Sequence, residues 1–294
     1  MTVCLATLCD LGRAIVLVAD KMVGVGYIEG ELENVKVQPI HSQWYMMMSG
    51  SDISPLFELA DLARAELPMP KPAPLEHVME VMQRNYELIR IRRAEAEYLK
   101  PIGWTIKRFN EEGCTLLPNF QELQSKLQDY ELSVEILVAG FDPMLMPPAK
   151  IFTMTSSNRG IPVRHDLPGF ATIGSGGIAA AYMMYFRDVK PTLPVRAAVY
   201  YALEAKYFGE HASGVGPGTD LFVIQFDGTL VRVIQINDEK TIERKLIPIC
   251  ERLEPPDPTQ ADIDILNSLP ELKGFPPIQK KKDKTKSKKQ KEKA

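Results

Sequence analysis

Thr2 directly follows Met1. Methionine removal is favoured when the next residue is small, so the mature chain is expected to begin with Thr2. A threonine at the N-terminus carries its own base. The hydroxyl is the nucleophile, and the free α-amine accepts its proton directly or through water. That amine titrates near ~7.7–8.0 when unperturbed, so a modest depression leaves it largely neutral at pH 7. Other chemistry is poorly represented. The cysteines Cys4, Cys9, Cys114 and Cys250 contain no CxxC pair, and the four histidines contain no HxxxH pair. Neither a disulfide framework nor a metal centre is expected, and no cofactor is called for.

The elements that must position Thr2 can be read from patterning. Thr2–Leu8 and the Val/Ile-rich run Ala14–Ala19 flank the turn Asp10-Leu11-Gly12, which predicts a β-hairpin. Lys36–His41 and Trp44–Met48 continue as strands, broken near Pro39. Ser49-Gly50-Ser51-Asp52 is a turn able to cap a helix, and Leu56, Leu59, Ala60 and Ala63 follow at helical spacing. After prolines 68, 70, 72 and 74, helical spacing resumes over Leu75–Leu99, with a further helix near Asn119–Tyr130. Val134–Gly140 and Lys150–Thr155 read as strands around the Asp142–Pro148 turn. Ala171–Ile173 ends in Gly174-Ser175-Gly176-Gly177, and helices follow at Ile178–Arg187 and Pro194–Glu210. Leu221–Phe226 and Thr229–Gln235 form a last hairpin around Asp227-Gly228. The glycines at 174–177 could belong to a phosphate loop, but no Gly-Lys-Ser/Thr follows, so nucleotide binding is discounted.

Strands that come in groups, separated by helices, do not make an alternating βαβ fold. Two antiparallel sheets with helices on both outer faces would bury every apolar stripe, a four-layer αββα sandwich of the α+β class. Of the 294 residues, 45% are apolar and 25% charged, which excludes wholesale disorder. No apolar run approaches the roughly 18 residues of a membrane span, and no signal-like segment opens the chain, so a cytoplasmic protein with no membrane contact is expected. The net charge of −3 hides nine lysines between Lys280 and Lys293, against Asp283 and Glu292. Such a run cannot order itself. It lacks interleaved aromatic residues for base stacking, so nucleic acid is not the expected partner. The expected organisation is a domain over 2–250 with a helical insertion at about 68–131, a proline-rich strap over 251–279, and a disordered lysine-rich tail over 280–294.

Several blocks taken together resemble proteasome β-type subunits. They are Thr2–Ala6, Ala14–Asp20, Lys36–His41, Met48–Ser51, Ala171–Gly177 and Ala212–Ile224, and the bacterial relatives HslV and Anbu share their order. The similarity covers about 2–66 and 134–235. It implies the N-terminal nucleophile hydrolase fold and a threonine-type endopeptidase acting on polypeptides inside a homo-oligomeric ring. An ATPase unfoldase partner is left unassigned. By position, Thr2 matches the nucleophile, and Asp20 the acid that orients the lysine. Lys36 matches the lysine whose charge lowers the hydroxyl pKa. Gly50 matches the glycine whose N–H faces the developing oxyanion. Ser175 matches the serine near the amine, while Glu210 and Ser213 fall where the family has an aspartate and a serine. Met48 would floor the substrate pocket with Val23 beside it.

The chain also departs from that pattern. Met22 stands where the family often has arginine, Glu210 replaces a shorter aspartate, and the first hairpin is longer at Cys9–Arg13. Residues 68–131 exceed the usual helical pair by several tens of residues. These departures and the lysine tail keep a non-catalytic structural or interaction protein of the same fold in view, and a small-molecule amidohydrolase of the same superfamily, with the same nucleophile logic, is a further alternative.

Overall fold

In a computed structural model, the structure describes residues 2–25, 28–32, 35–67, 71–228 and 230–236. The strap expected over 251–279 and the tail over 280–294 lie outside the described residues, as do Met1, Thr229 and Cys250. Two large antiparallel sheets and six helices make up the described fold.

The first sheet contains β1 (Cys4–Cys9), β2 (Ala14–Asp20), β10 (Phe170–Ile173), β11 (Thr219–Phe226) and β12 (Val231–Ile236), in the order β10-β1-β2-β11-β12. The second contains β5 (Val37–His41), β6 (Trp44–Gly50), β7 (Val134–Phe141), β8 (Ala149–Thr155) and β9 (Val163–Arg164), in chain order. Every residue of β1 and β2 is buried. A strand covered on both faces reads as an unbroken apolar run, and the segments Cys-Leu-Ala-Thr-Leu-Cys and Ala-Ile-Val-Leu-Val-Ala are such runs.

The inner faces of the two sheets meet across one core. Ala6, Leu8, Ile15 and Leu17 pack there against Leu137, Phe141 and Ile151. The outer face of the second sheet carries Trp44, Met46, Val138 and Phe152. It packs on α1 (Ser54–Glu66) and α2 (Leu75–Ala94) through Leu56, Leu59, Val78 and Met82. On the first sheet, α6 (Val195–Glu210) lies over β1 and β2, and α5 (Gly177–Phe186) packs on α6 and β10. The cap position of α1 is Ile53, which makes no side-chain cap bond, and Asp52 of the predicted capping turn stands one residue earlier, accepting the Ser54 N–H at 2.9 Å. Pro194 sits one residue before α6 in an extended conformation rather than inside its first turn.

Three elements were not expected from patterning. Met22–Val25 and Ile28–Glu31 pair as a separate hairpin, β3–β4. Strand β9 adds a short edge to the second sheet. Helix α3 (Ile106–Leu116) precedes α4 (Phe120–Gln128), and Thr105 caps α3 by accepting from the Arg108 N–H at 3.3 Å. The end of α2 joins α3 and α4 around Ala94, Leu99, Phe109, Leu123 and Leu127, a cluster separate from the sandwich cores. Within the segment at 68–131, α2 therefore belongs to the sandwich and residues beyond Ala94 form the excursion. Strand β5 runs through Pro39, where its register with β6 shifts. No helix among the described residues is long and apolar enough to cross a membrane.

Candidate functional site

Thr2 lies just before β1 where the two sheets converge. The β1–β2 hairpin pairs Cys4 with Ala19, so Asp20 at the end of β2 comes beside Val3. Asp20 accepts the Val3 N–H at 2.8 Å and donates its own N–H to the Val3 carbonyl at 3.0 Å. Lys36 arrives from the second sheet, one residue before β5, and its carbonyl accepts the Met48 N–H at 3.1 Å. These backbone ties bring the two side chains beside Thr2 and within reach of each other.

The side chains then form one buried chain. Lys36 Nζ donates to Thr2 Oγ1 at 2.6 Å and to Asp20 Oδ1 at 2.8 Å. Thr2, Lys36 and Asp20 are 5%, 3% and 0% exposed, so this network is shielded from water. Asp20 Oδ2 also accepts the Met22 N–H at 3.2 Å and the Gly216 N–H at 3.3 Å. Four donors therefore hold the carboxylate in one orientation. An ammonium fixed this close to a hydroxyl favours the alkoxide over the alcohol and stabilises negative charge developing nearby.

On the other side, the Thr2 nitrogen donates to Ser175 Oγ at 3.3 Å, and the Thr2 carbonyl accepts the Gly176 N–H at 3.1 Å. Gly174 has φ +91°, and a Cβ there would sit 2.2 Å from the Thr2 carbonyl oxygen. Only glycine permits that approach. A cleft of about 560 Å³ opens beside this turn, lined by Ser49, Gly50, Glu135, Gly174 and Ser175 among others. Gly50, the last residue of β6, is thus at the cleft wall, opposite Val134.

Four of the expected residues, Thr2, Asp20, Lys36 and Ser175, are in direct contact. The others are not. Glu210 ends α6 and turns back one helical turn onto Lys206, and no hydrogen bond joins it to Thr2. A glutamate four residues after a lysine faces it along the helix, and the longer side chain makes that contact available. Ser213 is exposed in the loop after α6 and makes no hydrogen bond among the described residues. Met48 is 1% exposed and packs in the core against α1 and α2, and it does not line the cleft. Val23 is half-buried in β3 and is not a cleft residue either.

Two functional candidates escaped sequence reasoning. Lys206 is fully buried and donates to Glu210, to the Gly216 carbonyl at 3.1 Å and to the Pro217 carbonyl at 2.6 Å. Burial pushes its pKa down, opposed by the Glu210 charge, and burial pushes the Glu210 carboxyl up. Glu135 is the second: its carboxylate accepts the Gly174 N–H and lines the cleft. Its signal was an acidic residue inside the apolar run Val134–Phe141. Cys4, two residues from Thr2, is fully buried with Sγ 3.6 Å from the Met48 carbonyl. Burial drives its pKa far above the ordinary thiol range, so it does not compete as a nucleophile.

No protein-family model matches the chain, and no curated protein is significantly similar to it.

Proposed function

We propose that this chain is a threonine-type endopeptidase of the proteasome-like, N-terminal nucleophile hydrolase class, with Thr2 as nucleophile. The observation that supports it is the buried Thr2–Lys36–Asp20 chain, whose lysine donates to the threonine hydroxyl at 2.6 Å. Surface Asp–Lys pairs are common and contribute roughly 0–1 kcal/mol. A lysine 3% exposed that bridges a carboxylate and a hydroxyl is a different object.

Removal of Met1 frees the Thr2 amine. That amine takes the proton from Oγ1, directly or through water, as Oγ1 attacks the substrate carbonyl carbon. The carbonyl oxygen becomes an oxyanion, and the Gly50 N–H is the candidate donor at the cleft wall. Collapse expels the leaving amine, which receives the proton from the Thr2 ammonium. An ester on Oγ1 remains, and water attacks it with the same amine as base, releasing the acid and restoring Thr2. Lys36 stabilises negative charge at Oγ1. Ser175 positions the amine. The same reading includes a homo-oligomeric ring around polypeptide substrate, which native mass spectrometry would count.

One observation favours a second reading. Glu210 is engaged by Lys206 and Ser213 is exposed, so Ser175 is left as the side chain at the Thr2 nitrogen. A non-catalytic protein of the same architecture would tolerate that. The separating experiment is intact mass before and after a peptide epoxyketone, a reagent that needs an amine and a hydroxyl on one residue. Loss of Met1 and a single adduct, absent in Thr2→Ala, is expected. A free Thr2 that never reacts would select the non-catalytic protein.

A further inference from the structure

We infer that Glu135 is the anion of a cation-binding subsite beside Thr2, built to take the ammonium or guanidinium of a substrate lysine or arginine. The inference rests on the hydrolase reading and adds a substrate class to it.

The argument begins with strand alternation. Successive residues of β7 point to opposite faces, and Leu137, Ala139 and Phe141 all enter the core between the sheets. Glu135 is the next inward position towards the start of β7. Burying a carboxylate on such a face is costly unless something compensates it. Its cross-strand neighbours are Ser49 on β6 and Thr155 on β8, so the three make one polar rung at the end of an apolar core. That rung forms part of the cleft wall, together with Ser133 and Ser157.

The carboxylate is only partly satisfied. Its hydrogen bond is from the Gly174 N–H to Oε2, and among the described residues it makes no ion pair. Oε1 is left with no hydrogen-bond partner among them. The cleft therefore presents hydroxyls, which can accept from an ammonium, around one uncompensated negative charge. Cationic donors to a carboxylate form the stronger class of hydrogen bond.

A neighbouring feature selects long cations. Glu135 also lines a second cleft of about 230 Å³, whose walls include Ile178, Tyr182 and Tyr185. These side chains are 72%, 73% and 62% exposed, a largely apolar strip left open by the described residues. The methylenes of a lysine or arginine lie on such a strip while the charged end reaches a carboxylate. A short amine would gain the charge but not the strip. Gly174 links this arrangement to the nucleophile, because its N–H binds Glu135 and its Cα abuts the Thr2 carbonyl.

The test uses the full chain and a matched peptide series with a single lysine, norleucine or glutamate at each position flanking the cleaved bond. At one position, lysine is expected to exceed norleucine by roughly tenfold in kcat/KM, the size of one charge-assisted hydrogen bond. Glu135→Gln keeps an oxygen for the Gly174 N–H and is expected to abolish that preference while norleucine peptides are still cut. Glu135→Lys is expected to favour glutamate instead. Thr2-dependent cleavage with no lysine preference, or a preference unchanged in Glu135→Gln, overturns the subsite and leaves the nucleophile assignment standing. If no peptide is cut in a Thr2-dependent way, the hydrolase reading fails, and the subsite is judged by calorimetric binding of the lysine and norleucine peptides to Thr2→Ala protein. Equal affinity there overturns it. A lysine advantage lost in the Thr2→Ala, Glu135→Gln double variant supports it.

Discussion

Two lysine–carboxylate pairs, each with a buried lysine, lie on either side of one loop, and they have different uses. Lys36 meets Asp20, and Lys206 meets Glu210. Gly216 joins them: its N–H donates to Asp20 at 3.3 Å, and its carbonyl accepts from Lys206 at 3.1 Å. An ammonium has three donors. Lys206 directs them to Glu210, its ion partner, and to the carbonyls of Gly216 and Pro217, none of which is a nucleophile in the proposed reaction. Lys36 directs one to a hydroxyl, at 2.6 Å. The same pair of residue types is therefore structural or chemical according to the third group the lysine reaches.

The largest expected effect separates the two pairs. Lys36→Met removes the cation from Thr2 Oγ1 and should lower kcat/KM by about a hundredfold or more, the usual range for losing a preorganised stabilising group. Lys206→Met touches no reacting atom and should retain far more activity per folded molecule. Peptide hydrolysis normalised to the folded fraction from circular dichroism reads both. Equal losses would erase the distinction.

Lys206→Met should instead act on stability. It leaves the Glu210 carboxylate and two carbonyls without their donor in a site where the lysine is 0% exposed. Removing one partner of a fully buried pair costs about 3–5 kcal/mol, and less here because Glu210 is 20% exposed, whereas replacing both with apolar groups of similar volume is often neutral. Urea unfolding of Lys206→Met and of Lys206→Met combined with Glu210→Leu should show a large loss and then its recovery. No recovery would mean that the loop over Gly216, rather than the uncompensated charge, governs the cost.

How much of this was legible in the sequence follows from what each part depends on. The β1–β2 hairpin could be read because both faces of each strand are covered, leaving unbroken apolar runs. Helices α1, α2, α5 and α6 followed from apolar spacing. The β3–β4 hairpin did not, since Lys21–Glu31 carries Gly24 and Gly30 and has no clear alternation. In α3, Phe109 and Gly113 are the buried positions, too few to set a period among so many charges. At the site, the blocks read as resembling proteasome subunits pointed to Thr2, Asp20, Lys36 and Ser175, which do converge. Glu210 was placed by the same likeness, but a likeness in position does not fix a side chain's direction. One extra methylene and a lysine four residues earlier were enough to send it along the helix. Lys206 and Glu135 had to wait for the structure, because their meaning lies in what faces them across other elements.

The smallest expected effect concerns the Glu210 half of the comparison alone. Burial raises the Glu210 carboxyl above its ordinary 4.5, with Lys206 opposing the rise. Between that value and the native one, the folded state holds a proton that the unfolded chain has released. Stability linked to Glu210 is then fully present below the unfolded pKa and is lost as pH rises through the folded one. Burial lowers the Lys206 pKa below its ordinary 10.5, so Lys206 works in the opposite sense. Glu210→Gln carries no titrating proton, so its urea midpoint should decline less than that of the natural chain from pH 4.5 upwards. Parallel curves would show that Lys206 offsets the burial of Glu210 fully. In that case what separates this pair from Lys36–Asp20 would be whether the lysine reaches Thr2.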